Sequence, residues 1–208
     1  LSLVYSDITQ FGRVIPLKLK LDPAKLLNEI SSFKWSIYNT TKQVPIPRLG
    51  LSITHNKKYP SLDLESLLEY NQKNNTNLND EDFNQFTDVF FKSKEIRDIS
   101  KEFHSHLARS HILKMQEGGY FPPHRDPVLP SHNLNCFRIL VPIYGCNPPT
   151  TYFFIDEKLQ HWNHGQAYFI DTNMMHHFFS YNESMMIVFN ISINDETVNT
   201  LIHNMEKI

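Results

Sequence analysis

The sequence predicts an α+β fold, with a helical N-terminal half packed against a C-terminal half of sandwich or jelly-roll type. Three observations predict it. Capped, amphipathic stretches fill the first hundred residues. Short runs rich in aromatic and β-branched residues then recur at intervals of roughly ten to fifteen residues, bounded by Pro, Gly and Asn, which is the signature of many short strands. At 208 residues and 24.5 kDa, with 40% hydrophobic and 20% charged residues, the chain can bury a core without staples. One domain is expected: residues 1–108 mostly helical, 109–194 the jelly-roll core, and 195–208 a closing helix.

The elements follow in order. Asp22 caps and Pro23 opens a helix whose AKLLNEI carries an apolar stripe. Ser61 to Tyr70 reads as a second helix, with Leu62, Leu64, Leu67 and Leu68 at roughly helical spacing. The polar, Asn-rich stretch from Asn71 to Asn79 is a loop and a candidate lid. Asn79 then caps a third helix over Asp80–Phe91, burying Phe83, Phe86, Phe90 and Phe91, and Glu95 to Arg109 forms a fourth. The strands are HILKMQ, FRILVPIY, TYFFID, QAYFID, HHFFS and MMIVFNISI. A last helix spans Asp195 to Lys207.

Charge and cysteine content exclude several classes. The net charge of −2 and a pI of about 6.6, with no basic run, make nucleic acid an unexpected partner. No apolar run reaches the roughly 18 residues of a membrane span. Cys136 and Cys146 are too few for a disulfide framework and read as free thiols in a reducing compartment. The start, LSLVYSDITQ, lacks the basic and apolar regions of a signal peptide, so a cytoplasmic location is expected. It also lacks an initiator Met, which suggests a processed start. Nothing in the sequence fixes an oligomeric state.

Histidine is the unusual residue. Nine of the eleven lie between His104 and His177, and imidazole is the commonest transition-metal ligand. The segment GGYFPPHRDP places His124 and Asp126 two residues apart, so on an extended backbone they share a side while Arg125 points away. One metal ion is then within reach of both. A third ligand from a distant strand would complete three positions on one face of an octahedron and leave three open. The turn Asp171-Thr172-Asn173 followed by His176 and His177 supplies it. The two histidines point to opposite faces, so only one can take part.

The runs GGYFPPHRD, FRILVPI and HGQAYFIDTNMMHHFFSYNES resemble the Fe(II)- and 2-oxoglutarate-dependent oxygenases, most closely the aspartyl/asparaginyl β-hydroxylase-like branch. The resemblance covers about residues 110–193. It implies a double-stranded β-helix carrying a His-x-Asp…His triad, with Fe(II), 2-oxoglutarate and O2 taking part in the reaction. The family's spacing between an acidic residue and the second histidine is met by Asp171 and His176. That match selects His124, Asp126 and His176 as both the metal ligands and the catalytic centre.

2-Oxoglutarate needs a cation for its distal carboxylate, preferably a fork-shaped Arg. The family often supplies one on the last strand, where this chain has Met185 and Met186. Arg138, on the strand after the His-x-Asp loop, is the first replacement and Lys114 the second. The competing role for Arg138 is an ion pair with an acid such as Asp156. Tyr120, Tyr152, Trp162, His164 and Asn190 are further pocket candidates, as are Arg48 and Trp35 for substrate contact, without a spacing argument for either.

The expected function is hydroxylation of a C–H bond in a peptide or protein side chain, a free amino acid or another small molecule. Two alternatives stay open: a cupin-like non-haem iron oxygenase that does not use 2-oxoglutarate, and a non-catalytic jelly-roll binding module.

Overall fold

A computed structural model of the chain describes residues 5–39, 46–126 and 135–206. The first half contains α1 (Tyr5–Thr9), β1 (Val14–Lys20), α2 (Pro23–Ile30), β2 (Ser36–Ile37), β3 (Arg48–Ser52) and β4 (Thr54–His55). It continues with α3 (Leu67–Asn74), β5 (Gln85–Phe86), α4 (Asp88–Lys92) and α5 (Lys94–Ser100). The second half contains β6 (His111–Met115), β7 (Tyr120–His124), β8 (Cys136–Tyr144), β9 (Thr151–Ile155), β10 (Lys158–Leu159), β11 (Gln166–Ile170), β12 (His176–Ser180), β13 (Ser184–Ser192) and α6 (Asp195–Asn204).

Strands β6 to β13 wind between two antiparallel sheets. β6, β8, β11 and β13 lie in a seven-stranded sheet of order β1-β11-β8-β13-β6-β3-β2, and β7, β9, β10 and β12 form a second sheet of order β10-β9-β12-β7. This is a double-stranded β-helix, and the fold class is α+β. β4 and β5 pair separately. No helix among the described residues is long and apolar enough to cross a membrane.

Strand alternation sorts the interior into two layers. Phe137, Ile139, Val141 and Ile143 of β8, with Ile187, Phe189 and Ile191 of β13, pack with Leu26, Ile30, Ile96, Ile99, Val198 and Leu201 from the helices. The alternate positions Leu140, Met186 and Val188 meet Phe153, Ile155 and Phe178 of the small sheet. Arg138 and Asn190 stand at those alternate positions, so they face the small sheet and the space between the two sheets.

The N-terminal half carries the expected helices but also builds three strands of the large sheet. β1 alternates, burying Ile15 and Leu17. It lies at the sheet edge, where Pro16 removes no needed donor. β3 pairs with β6, aligning Arg48 with Met115 and Gly50 with Leu113.

Three helical expectations are corrected. Over Ser61–Tyr70 the chain makes a short 3-10 turn at Pro60–Leu62, and α3 starts only after Ser66 caps it. Leu68 is 69% exposed while Leu62, Leu64 and Leu67 are buried, so the stripe belongs to two separate turns. α3 then runs to Asn74, into the stretch read as a loop. Asn79 does form a capping box, but with Asp82 over a single 3-10 turn. The chain next extends through β5, and only then begins α4. Phe83 is buried with Leu62 and Leu67 in a separate cluster, which pulls the chain away from a continuous helix. The fourth helix splits into α5 and a 3-10 segment, Lys101–His106. α6 is capped by Asn194 and ends at Asn204; Lys207 lies outside the described residues.

Candidate metal centre

The site forms where β7 and β12 lie side by side in the small sheet, with His124 and His176 as direct cross-strand partners. The register shifts between His176 and Phe178. The local sequence accounts for this: Pro122 and Pro123 have no N–H to donate, so the ladder cannot run unbroken on this strand. The resulting bulge brings the two imidazoles to a centroid separation of 4.2 Å.

Both rings are fixed in the same way. His124 Nδ1 lies 2.7 Å from the Pro122 carbonyl, and His176 Nδ1 lies 3.0 Å from the Met174 carbonyl. A carbonyl only accepts, so Nδ1 carries a proton in each ring and Nε2 is the nitrogen turned toward Asp126. His124 Nε2 lies 3.9 Å from Asp126 Oδ1, and His176 Nε2 lies 3.8 Å from Asp126 Oδ2. Burial, first of all, lowers the pKa of His176 to about 4, with His124 and Arg138 adding to the effect. It is therefore neutral, as a metal ligand must be. Burial alone would raise the pKa of Asp126, but Arg138, His124 and His176 outweigh it and hold the carboxyl below its usual range.

One atom from each of His124, Asp126 and His176 lies within 4.8 Å of the others, a grouping that can hold a metal ion.

The loops on both sides are tied down. Asp126 N–H donates to the Thr172 carbonyl at 2.9 Å, and the Thr172 hydroxyl donates to the Asp126 carbonyl at 3.1 Å. Asp171, 1% exposed, accepts from Tyr5 at 2.8 Å, from Arg13 at 2.7 Å and from the Asn173 N–H at 3.1 Å. These bonds fix the turn that leads into His176.

The remaining candidates divide clearly. His177 is on the opposite face from His176 and stacks on Phe154 at 4.7 Å. Arg138 is at the site but is held there: Nη1 donates to Asp126 Oδ2 at 2.7 Å and Nε to Asn190 Oδ1 at 3.0 Å. Its acidic partner is Asp126, not Asp156. Lys114 is not brought to the site. It alternates with Leu113 and Met115, which face the small sheet, so it points to the helical side, 4.6 Å from the Trp35 ring and 3.8 Å from Glu183. Tyr120 and Tyr181 are exposed, and Tyr152 packs against Tyr181. Trp162 is buried between Phe153 and Tyr168 as core, and His164 is exposed.

Two residues near the site carry more than the sequence suggested. Arg48 is 3% exposed. His111, 5% exposed, was not singled out, although in HILKMQ it shares the inward face of Leu113 and Met115. Burial, helped by Arg109 and Arg138, lowers its pKa to about 3.

Comparison with known proteins gives fold-level likeness only. No family model and no curated protein matches the chain. A 2OG-Fe(II) oxygenase family oxidoreductase from Burkholderia pseudomallei is 10% identical, with 81% of this chain and 77% of that chain covered and a TM-score of 0.48. KdgF from a Halomonas species is 10% identical, with 78% and 90% covered and a TM-score of 0.38. A conserved protein of unknown function from Streptococcus pyogenes is 11% identical at a TM-score of 0.32, with 42% of this chain covered. The chain spans 66% of that protein, just under two thirds of its length.

Proposed function

We propose that the chain is an Fe(II)- and 2-oxoglutarate-dependent dioxygenase that hydroxylates a C–H bond in a peptide or protein side chain or in a free amino acid. The observation that carries the iron part is the pair of imidazoles with Nδ1 committed to backbone carbonyls and Nε2 turned toward one carboxylate. Two histidines and one carboxylate on one face suit non-haem Fe(II) and leave positions open for other ligands. The 2-oxoglutarate part rests on the resemblance across residues 110–193.

The residues divide the work. His124, Asp126 and His176 would hold the ion. Arg138 and Asn190 orient the Asp126 carboxylate, with Oδ2 accepting from Arg138 while Oδ1 lies on the side of His124. Such outer contacts raise the affinity of a metal site and fix its geometry. The apolar layer of Leu140, Met186, Val188, Ile155 and Phe178 keeps water from the inner side. The bound metal would supply the oxidative chemistry, with 2-oxoglutarate as the co-reductant.

One observation favours a second reading, a cupin-like iron oxygenase that does not use 2-oxoglutarate. Arg138, the first cation suggested for the cosubstrate, is already bonded to Asp126 and Asn190. Succinate release decides between the two. Fe(II)-loaded protein incubated with 2-oxoglutarate and O2 should form succinate, and His124→Ala should not. Iron binding without succinate across a broad substrate panel would favour the second reading. Equal succinate from wild type and His124→Ala would overturn the ligand assignment.

A further inference from the structure

Arg48 is a buried cation with no carboxylate partner among the described residues. Its Nε has no hydrogen-bond partner, and no carboxylate among the described residues forms an ion pair with it. The other two arginines facing the interior do have one: Arg109 pairs with Asp80 at 2.8 Å and Arg138 with Asp126 at 2.7 Å. Taking a guanidinium out of water without a partner is costly, and natural folds seldom keep one unless an anion arrives.

Its surroundings are aromatic. The guanidinium carbon lies 4.1 Å from the Phe121 ring centroid and 5.4 Å from that of Tyr38. Aromatic faces attract the cation but supply no acceptor in its plane, so these rings leave Nε able to donate to a carboxylate. His111 packs on the same Tyr38 ring at 5.2 Å, and its Nδ1 is also buried without a partner. Two buried polar atoms without a partner, Arg48 Nε and His111 Nδ1, therefore belong to side chains that pack on one tyrosine.

This cluster adjoins the triad. Register places Arg48 beside Met115 and, by alternation, on the inward face shared with Leu113 and His111. Phe121, which covers the guanidinium, also stacks on His124 at a centroid separation of 6.2 Å.

We propose that Arg48 is the carboxylate anchor of the site, taking the distal carboxylate of 2-oxoglutarate in the role that the sequence suggested for Arg138. The assignment rests on the 2-oxoglutarate reading above. It places the anchor on β3, a strand contributed by the N-terminal half.

The test compares two keto acids binding to Mn(II)-loaded protein by titration calorimetry. 2-Oxoglutarate and 2-oxopentanoate share the 2-oxo acid end, but the second has a methyl group where the distal carboxylate stands. Wild type should prefer 2-oxoglutarate by roughly 10- to 100-fold, the worth of a charge-assisted hydrogen bond. Arg48→Met and Arg48→Gln should each lose that preference while still binding 2-oxopentanoate. Mn(II) binding is measured first in every variant, which separates a failed metal site from a failed anchor. A preference that persists in both variants with Mn(II) bound overturns the Arg48 assignment alone. Wild type that binds Mn(II) but neither keto acid overturns the 2-oxoglutarate reading and this assignment with it.

Discussion

Arg138 and Asp126 form an ion pair at 2.7 Å across the mouth of the double-stranded β-helix, and Asn190 holds the arginine from behind at 3.0 Å. The pair assigns Arg138 to the carboxylate of the triad. Its contribution should therefore appear in metal affinity. Arg138→Met should weaken Mn(II) binding about 10- to 100-fold, the usual effect of losing a contact that orients a ligand. Asn190→Ala should weaken it less. Calorimetry or a chelator competition reads both. Arg138→Met with wild-type metal affinity would show that Asp126 needs no such support.

Asp171 should matter to stability more than its place in a turn suggests. It is buried and accepts from Tyr5, Arg13 and the Asn173 N–H. Asp171→Ala removes the buried acceptor of the Tyr5 hydroxyl proton. The expected loss is about 2–3 kcal/mol, less than for a fully buried pair because Arg13 is half exposed. Urea denaturation measures it, and a change under about 0.5 kcal/mol would contradict the anchoring role.

His111 should make the metal-free protein sensitive to acid. Its folded pKa of about 3 lies below the ~6.5 of an unfolded histidine. Between those values the unfolded chain binds a proton that the folded chain does not. Stability is thus complete above about pH 6.5 and falls as pH drops toward 3, with a limiting slope of about 1.4 kcal/mol per pH unit. His111→Phe should flatten the slope between about pH 6 and 4 by up to one proton. Comparison with wild type cancels the contribution of other histidines, and parallel curves would contradict the prediction.

Arg48 should cost the ligand-free protein stability. Arg48→Met removes an unpaired buried charge and keeps most of the volume. The lost contacts with Phe121 and Tyr38 offset part of the gain, since such pairs are worth about 0.5–2 kcal/mol. A net stabilisation of about 1–2 kcal/mol is expected, seen as a higher melting temperature. Destabilisation beyond about 2 kcal/mol would mean that the guanidinium is already well satisfied.

The C-terminal strands were legible because their local signal and their tertiary role agree. FRILVPIY and MMIVFNISI are buried on both faces, and both read as continuous apolar runs. The His-x-Asp spacing worked for the same reason, since two residues on an extended backbone share a side whatever the fold. β1 and β3 were harder. One contains Pro16 and the other begins with Arg48, and their stability comes from pairing with β11 and β6 rather than from local propensity. The stretch from Asp80 to Phe91 has a good cap and helical residues, yet burial of Phe83 with Leu62 and Leu67 breaks it. Alternation along β6 was enough to turn Lys114 outward. The partner of Arg138 was not readable, because sequence shows which charges exist but not which acid reaches which arginine.

The most direct test of the metal centre is a stoichiometric titration of Mn(II) into five proteins under identical conditions: wild type, His124→Ala, Asp126→Ala, His176→Ala and His177→Ala. The geometry predicts one tight equivalent in wild type and in His177→Ala, and its loss in the other three. Retention of that equivalent in His176→Ala with loss in His177→Ala, or equal binding by all five, would contradict the account.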